Sequence, residues 1–170
     1  MQLIWRKFIS VIIDKLLEDK LLDDERYCKN MLESVITSKK GPIFLKRTLK
    51  LKGVDENFIE DIMYEFTEET VVELLNEIID KELRKIKIVS LIKYLSQLKQ
   101  RLVRSGFMIS DINHIINERL DEIKEVIDEE SAIEKEFKKF DVKDIPKQKL
   151  IKKLCDRGFN YQDVKKIVNN

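Results

Sequence analysis

The sequence predicts an all-α fold, an elongated solenoid of tandem three-helix repeats, and three observations predict it. Three of the four glycines stand at Gly53, Gly106 and Gly158, spaced 53 and 52 residues apart, and self-similarity at such a period is the mark of stacked structural units. Eight and four residues before each glycine lie Leu45 and Leu49, Leu98 and Leu102, Leu150 and Leu154, the spacing of one helical face. No stretch sustains the period-two alternation of a half-buried strand.

The elements follow in chain order. Near the start, Leu3, Phe8, Ile13 and Leu16 stand in the same register about Lys7 as the apolar residues stand about the glycines. Residues 1–22 are therefore expected to be the remnant of a unit, with Leu3, Ile4 and Trp5 closing one helix and a turn at Lys7. A long amphipathic helix is expected from Asp24 to Ser38, with Tyr27, Met31 and Val35 on one face and Asp23, Asp24 and Glu25 favouring the positive end of its dipole. Pro42 and Gly53 then bracket a short helix: proline suits the first helical turn, and glycine accepts the left-handed conformation past the last one. Gly41 is read simply as the residue before Pro42. After each glycine comes a bulky apolar residue, Val54, Phe107 or Phe159. A third helix follows, marked by Ile59 and Ile62, Ile112 and Ile115, Val164 and Ile167.

The pattern recurs with Thr67 to Lys85 and Asp128 to Phe140 as the long helices. The middle short helix lacks a proline, so Ser90 is expected to cap a longer version, Leu91 to Ser105. Pro146 opens the last short helix. The resulting units are 23–66, 67–120 and 121–170, in one continuous helical array whose neighbours supply each other's core.

Composition narrows the function. At 170 residues and 43% apolar, the chain can bury roughly 70% of its unfolded surface without staples. Charges interrupt every candidate span of about 18 apolar residues, and the run Phe8 to Ile13 has no small-residue cleavage site, so neither a membrane span nor a secretory signal is expected. Cys28 and Cys155 form no C-x-x-C and His114 is the only histidine, a pattern of small buried helical cysteines in a cytoplasmic protein rather than a disulfide or zinc framework. No P-loop, G-x-S-x-G or H-E-x-x-H motif is present, so no catalytic residue, cofactor or small-molecule substrate is expected. His114 reads as an ordinary surface histidine.

The net charge of +1 hides strong segregation. Lys39 to Lys52 holds six basic residues and no acid, Arg84 to Arg104 holds seven and none, and Lys147 to Arg157 holds five with one acid, whereas Asp121 to Glu136 carries eight acids against two lysines. The basic runs fall on the short helices. Lys46 and Arg47, Lys99 and Arg101, and Lys152 and Lys153 lie roughly opposite the leucine stripe, so one basic ridge is expected along the array, able to meet acidic protein surface or phosphate. Lys50 belongs to the first run.

The residues Leu22-Asp23-Asp24-Glu25-Arg26-Tyr27, then Lys40-Gly41-Pro42, Leu45, Leu49 and Lys52-Gly53-Val54 resemble the RecX regulators of RecA recombinase. The resemblance spans nearly the whole chain and is densest from Leu21 to Phe66. It departs from the family at Cys28, where alanine is favoured, at Lys7, and in the missing first helices, as in an N-terminally shortened member. The resemblance implies a non-enzymatic protein that binds RecA filaments on DNA and restrains strand exchange, ATP hydrolysis and stimulated repressor cleavage. Its expected contacts are the basic residues above together with Arg26, which equally suits a structural ion pair beside the helix cap. Two other classes fit the same residues: a helical scaffold for a different protein partner, and a protein that binds nucleic acid directly.

Overall fold

The computed structural model describes residues 2–18, 23–85, 90–140 and 145–169, with side chains from Trp5 to Lys15 in the first stretch. These form eleven helices and no strand among the described residues. The helices are α1 (Gln2–Glu18), α2 (Asp24–Thr37), α3 (Pro42–Leu51), α4 (Glu56–Glu65), α5 (Glu68–Leu83), α6 (Leu91–Arg104), α7 (Ile109–Glu118), α8 (Leu120–Val126), α9 (Glu129–Phe137), α10 (Lys147–Cys155) and α11 (Tyr161–Asn169). Three helices about a glycine turn recur as α2–α4, α5–α7 and α9–α11, and in each set the third helix packs on the other two; the long first helix expected over Asp128 to Phe140 is shorter, α9 having nine residues like α10.

Local chemistry places the ends. Asp23, Thr67, Ser90 and Asp128 each accept a hydrogen bond through the side chain from a backbone N–H three residues on, at Arg26, Thr70, Lys93 and Ser131, which satisfies a donor the first helical turn leaves open. Pro42 occupies the first turn of α3. Gly53, Gly106 and Gly158 have φ of 78°, 93° and 89°, the left-handed conformation in which glycine carries no Cβ penalty.

The leucine stripes are core. Leu45, Leu49, Leu98, Leu102, Leu150 and Leu154 are buried, as are Ile59, Ile62, Ile112, Ile115 and Val164, while Ile167 is half-buried. Phe107 and Phe159 fold under their turns and are buried; Val54 is half-buried. One apolar cluster runs from Cys28 to Ile127 and a second, from Ala132 to Val168, fills the last set of helices. On α2 the buried line is Cys28, Leu32 and Val35, with Tyr27 and Met31 packed at its edge, so the stripe is centred one residue further round than the spacing of Tyr27 and Met31 suggests. Cys28 is buried and Cys155 half-buried; neither is in a disulfide.

Three further features differ from the sequence reading. Helix α1 runs unbroken across Lys7, because a lysine gains nothing from leaving the right-handed region where a glycine would; the turn expected there is absent. Leu3 and Leu16 lie outside the described side chains, as does Leu22 of the motif. Between α7 and α9 stands an additional helix, α8, whose Ile123 enters the core together with Ile127 just past its end. Arg119 stands at the break between α7 and α8, and its guanidinium ties that point to α5: it reaches Asp80 at 2.6 Å, donates to the Asn76 carbonyl at 3.2 Å and pairs with Glu122 at 2.8 Å.

The third difference concerns Gly41. Its N–H donates to the Ser105 carbonyl at 2.9 Å and the Ile43 N–H donates to the Gly106 carbonyl at 3.0 Å, so the start of α3 sits directly on the α6–α7 turn. A Cβ on Gly41 would lie 2.7 Å from the Phe107 nitrogen and closer still to the Gly106 carbonyl, and one on Gly106 would lie 2.6 Å from the Phe44 nitrogen. Gly41 is therefore a packing glycine, not a bystander to Pro42. The start of α6 sits on the next turn in the same way: Ser90 Oγ donates to the Arg157 carbonyl at 3.3 Å, Gly158 faces Ser90 and Ile92, and the Leu91 N–H donates to Glu129 Oε1 at 3.4 Å. Burial there pushes the Glu129 carboxyl up from its ordinary range.

Two substitutions test this packing. Leu49→Ala removes a fully buried side chain and should cost about 2–5 kcal/mol; an unchanged denaturation midpoint would contradict its place in the core. Gly41→Ala, although its φ of −90° suits alanine, should lower stability by roughly 1–3 kcal/mol, as overpacking does. A neutral result in urea titration would show that α3 does not rest on Gly106.

Candidate interaction surface on α3

Helix α3 separates its two faces cleanly. Leu45 and Leu49 point into the core, whereas Ile43, Arg47, Lys50 and Leu51, spaced i, i+4, i+7 and i+8, share the outer side with Lys46, as 3.6 residues per turn requires. Lys46, Arg47 and Lys50 line one open groove with Ile43 and Leu51 of α3, Met63 of α4 and Met108 at the head of α7. Lys50 Nζ lies 2.9 Å from Glu56 Oε1 and Lys46 Nζ 3.9 Å from the same oxygen. One carboxylate thus faces two ammonium groups. Arg47 lies over the Phe44 ring at 5.7 Å from its centroid, a cation–π contact that holds the guanidinium against the helix while leaving its edge in solvent.

The other basic positions stand apart from this group. On α6, Lys99 and Arg101 are two residues apart and so point to different sides. Lys99 is half-buried, and Arg101 reaches across to Glu82 of α5, whose side chain is only 18% exposed. Arg101 is thus engaged in holding α5 to α6. On α10, Lys152 edges a separate cleft with Gln148, Ile151, Cys155 and Tyr161, and Lys153 lies over the Phe140 ring at 5.5 Å, beside Arg157 at 4.8 Å. The eight basic positions therefore divide among four helices, and only Lys46, Arg47 and Lys50 share a groove. Arg26 is exposed and its backbone N–H donates to Asp23; its side chain makes no ion pair within the described residues. His114 is exposed, 3.5 Å from Glu118.

Sequence reasoning missed the apolar members of the groove, Ile43, Leu51, Met63 and Met108. A signal for two of them was present, since Ile43 and Leu51 are apolar residues off the leucine stripe of α3. A second apolar surface is α1, where Trp5, Phe8, Ile9 and Ile12 are all more than half exposed. Among the described residues no helix is long and apolar enough to cross a membrane, and no three His, Cys, Asp or Glu side chains are arranged to hold a metal ion.

Comparison with known proteins matches the α2–α4 segment to a family model, that of the RecX second three-helix domain, over residues 23–63. The regulatory protein RecX of Streptococcus gordonii is 28% identical over 172 residues, an alignment covering 95% of this chain and 65% of that protein. The regulatory protein RecX of Streptococcus mutans is 30% identical, over 92% of this chain and 63% of its own length. The chain thus spans somewhat less than two thirds of these relatives. The crystal structure of RecX from Lactobacillus salivarius superposes with a TM-score of 0.59 at 32% identity, covering 66% of this chain and 73% of that one. The α3 groove lies largely within the segment the family model matches, and by these likenesses in sequence and fold the chain belongs to the RecX family of regulatory proteins.

Proposed function

We propose that this chain binds RecA filaments assembled on DNA and restrains their recombinase, ATPase and coprotease activities, acting by binding and not by catalysis of its own. The observation that carries this reading is the cluster Lys46, Arg47 and Lys50 on the outer face of α3, within the matched RecX domain. Lys46 and Lys50 share the single carboxylate Glu56, and Arg47 makes no ion pair among the described residues, a surplus of positive charge on α3 of the kind that speeds association with an acidic surface. Family membership supplies the regulatory role, and the resemblance of the motif residues supplies RecA as the partner. Lys99, Lys152, Lys153 and Arg26 are secondary contacts in this reading, with DNA phosphate along the filament available to those on α10. The site of action is the cytoplasm, and the units 23–66, 67–120 and 121–170, preceded by 1–22, are the bodies laid along the filament.

The test is suppression of RecA ATPase on single-stranded DNA. The parent chain should suppress it, and Lys46→Glu, Arg47→Glu, Lys50→Glu together should raise the concentration for half suppression by about tenfold or more with a weaker salt dependence. Charge reversal also crowds Glu56, so the triple Gln variant is the companion: it keeps the polarity, spares Glu56 and should show the same loss. Unchanged helical circular dichroism with undiminished suppression by both variants would place the contact elsewhere. Arg101→Ala should behave differently, lowering the unfolding free energy through the loss of the Glu82 pair by about 1 kcal/mol or less, read in a urea titration; a variant defective in RecA suppression at full stability would instead make Arg101 a contact.

A further inference from the structure

The groove on α3 holds more apolar surface than a charge contact with a flat acidic face uses. Its floor is Ile43, Leu51, Met63 and Met108, with Ile43 51% and Leu51 81% exposed. Its volume is about 690 Å³. The three cations sit on α3, the helix that also carries Ile43 and Leu51, and Met108, 52% exposed, faces them from the head of α7.

The fold does not require this combination. In the same register from the glycine turn, α6 presents Ser96, Lys99, Gln100, Val103 and Arg104, and α10 presents Gln148, Ile151, Lys152, Cys155 and Asp156. The corresponding cleft on α10 is smaller, about 410 Å³, and carries one cation. All three short helices bury equivalent leucines, but where α10 turns Ile151 and Cys155 half-buried against the core, α3 holds Lys46 and Lys50 out in solvent. Methionines at two of the four floor positions suit a surface that adapts to an inserted side chain, because an unbranched thioether re-packs at small cost.

We propose that this groove takes an acidic amphipathic helical segment of the partner protein, its apolar stripe on Ile43, Leu51, Met63 and Met108 and its carboxylates against Lys46, Arg47 and Lys50. The inference rests on the reading of RecA as partner and names the chemistry of the segment that docks. Charge complementarity selects this occupant. A helix laid in an open groove presents side chains at i, i+3, i+4 and i+7, which matches an apolar floor bounded by a cationic rim. The exposed helix of a second copy fits poorly: among its described side chains α1 carries Arg6, Lys7 and Lys15 against one acid, Asp14, so its net positive charge would meet the cations of the groove.

The experiment uses the full chain and a fluorescein-labelled 16-residue peptide with leucines at i, i+3, i+4 and i+7 and glutamates on the flanks, read by fluorescence anisotropy. A scrambled peptide of the same composition and a striped peptide with lysine for glutamate are the comparisons. The striped acidic peptide should bind at least tenfold tighter than either, and Leu51→Glu and Ile43→Glu, both at exposed positions and so expected to keep their circular dichroism, should each abolish the difference. The same two variants should raise the concentration for half suppression of RecA ATPase at least tenfold. Equal binding of the scrambled peptide, or full RecA suppression by both variants, overturns the groove as the docking site. Sedimentation showing a dimer that Leu51→Glu dissolves overturns the occupant in favour of a second copy. A parent chain that leaves RecA untouched but binds the striped acidic peptide through Leu51 overturns the RecA reading alone and supports the groove.

Discussion

The approach of Gly41 to Gly106 joins the first set of helices to the second, and the rest of the array depends on that joint and its counterpart at Gly158. In each, the first turn of a short helix rests on the glycine turn that ends the next short helix, and carbonyls left open by that turn accept donors from the helix start. A helix N-terminus has N–H groups without intrahelical partners and a glycine turn has carbonyls to spare, so each end satisfies the other away from water. The two joints are not identical. Gly41 lets the backbones meet directly, whereas Ser90 interposes its hydroxyl and recruits Glu129 to the Leu91 N–H. The looser second joint coincides with the division of the core into two clusters, one ending at Ile127 and the other beginning at Ala132.

Because the joints and leucine stripes use the inner faces and the ends of the short helices, the position of Arg47 and its counterparts is exposed and free of packing duty, although Ile151 and Cys155 on the outer side of α10 pack against the core. This explains why the same register position is arginine on α3, glutamine on α6 and lysine on α10 without consequence for the core. The proposed contacts lie on those outer faces, and α3 differs most from its counterparts. Its cations are held in place by modest interactions: a shared carboxylate at Glu56 and a ring at Phe44, both at the surface and worth little individually to stability. They therefore set the field of the groove more than they hold the fold together.

Much of the fold was legible because glycine, proline and leucine each report one requirement. A glycine past a helical stripe announces a left-handed residue, and Gly53, Gly106 and Gly158 all adopt it; Ser90 announces a cap and serves as one. What stayed hidden depends on contacts between distant residues. Gly41 has an ordinary φ, so nothing local distinguishes a packing glycine from a spacer, and its role appears only when Gly106 is beside it. Helix α8 escaped notice because Ile123 and Ile127 lie within an acidic run that resembles a solvated face. The basic ridge was legible as composition but not as geometry: Lys99 and Arg101 are neighbours in sequence and point apart on the helix, and Glu82, the acid that engages Arg101, lies on another element. The groove was half legible, since Ile43 and Leu51 are visibly off the stripe of α3 while Met63 and Met108 arrive from α4 and the head of α7.

The cohesion of the array rests on the joint, and native-state amide hydrogen exchange measures it directly at the Gly41 and Ile43 N–H groups. If they donate to Ser105 and Gly106 as described, both should exchange as slowly as the amides around Leu49 in the core, because exposing them requires lifting α3 from the second set of helices. Exchange at the rates of exposed loop amides while Leu49 remains protected would mean that α3 does not rest on the glycine turn, and the array would need another explanation for its cohesion.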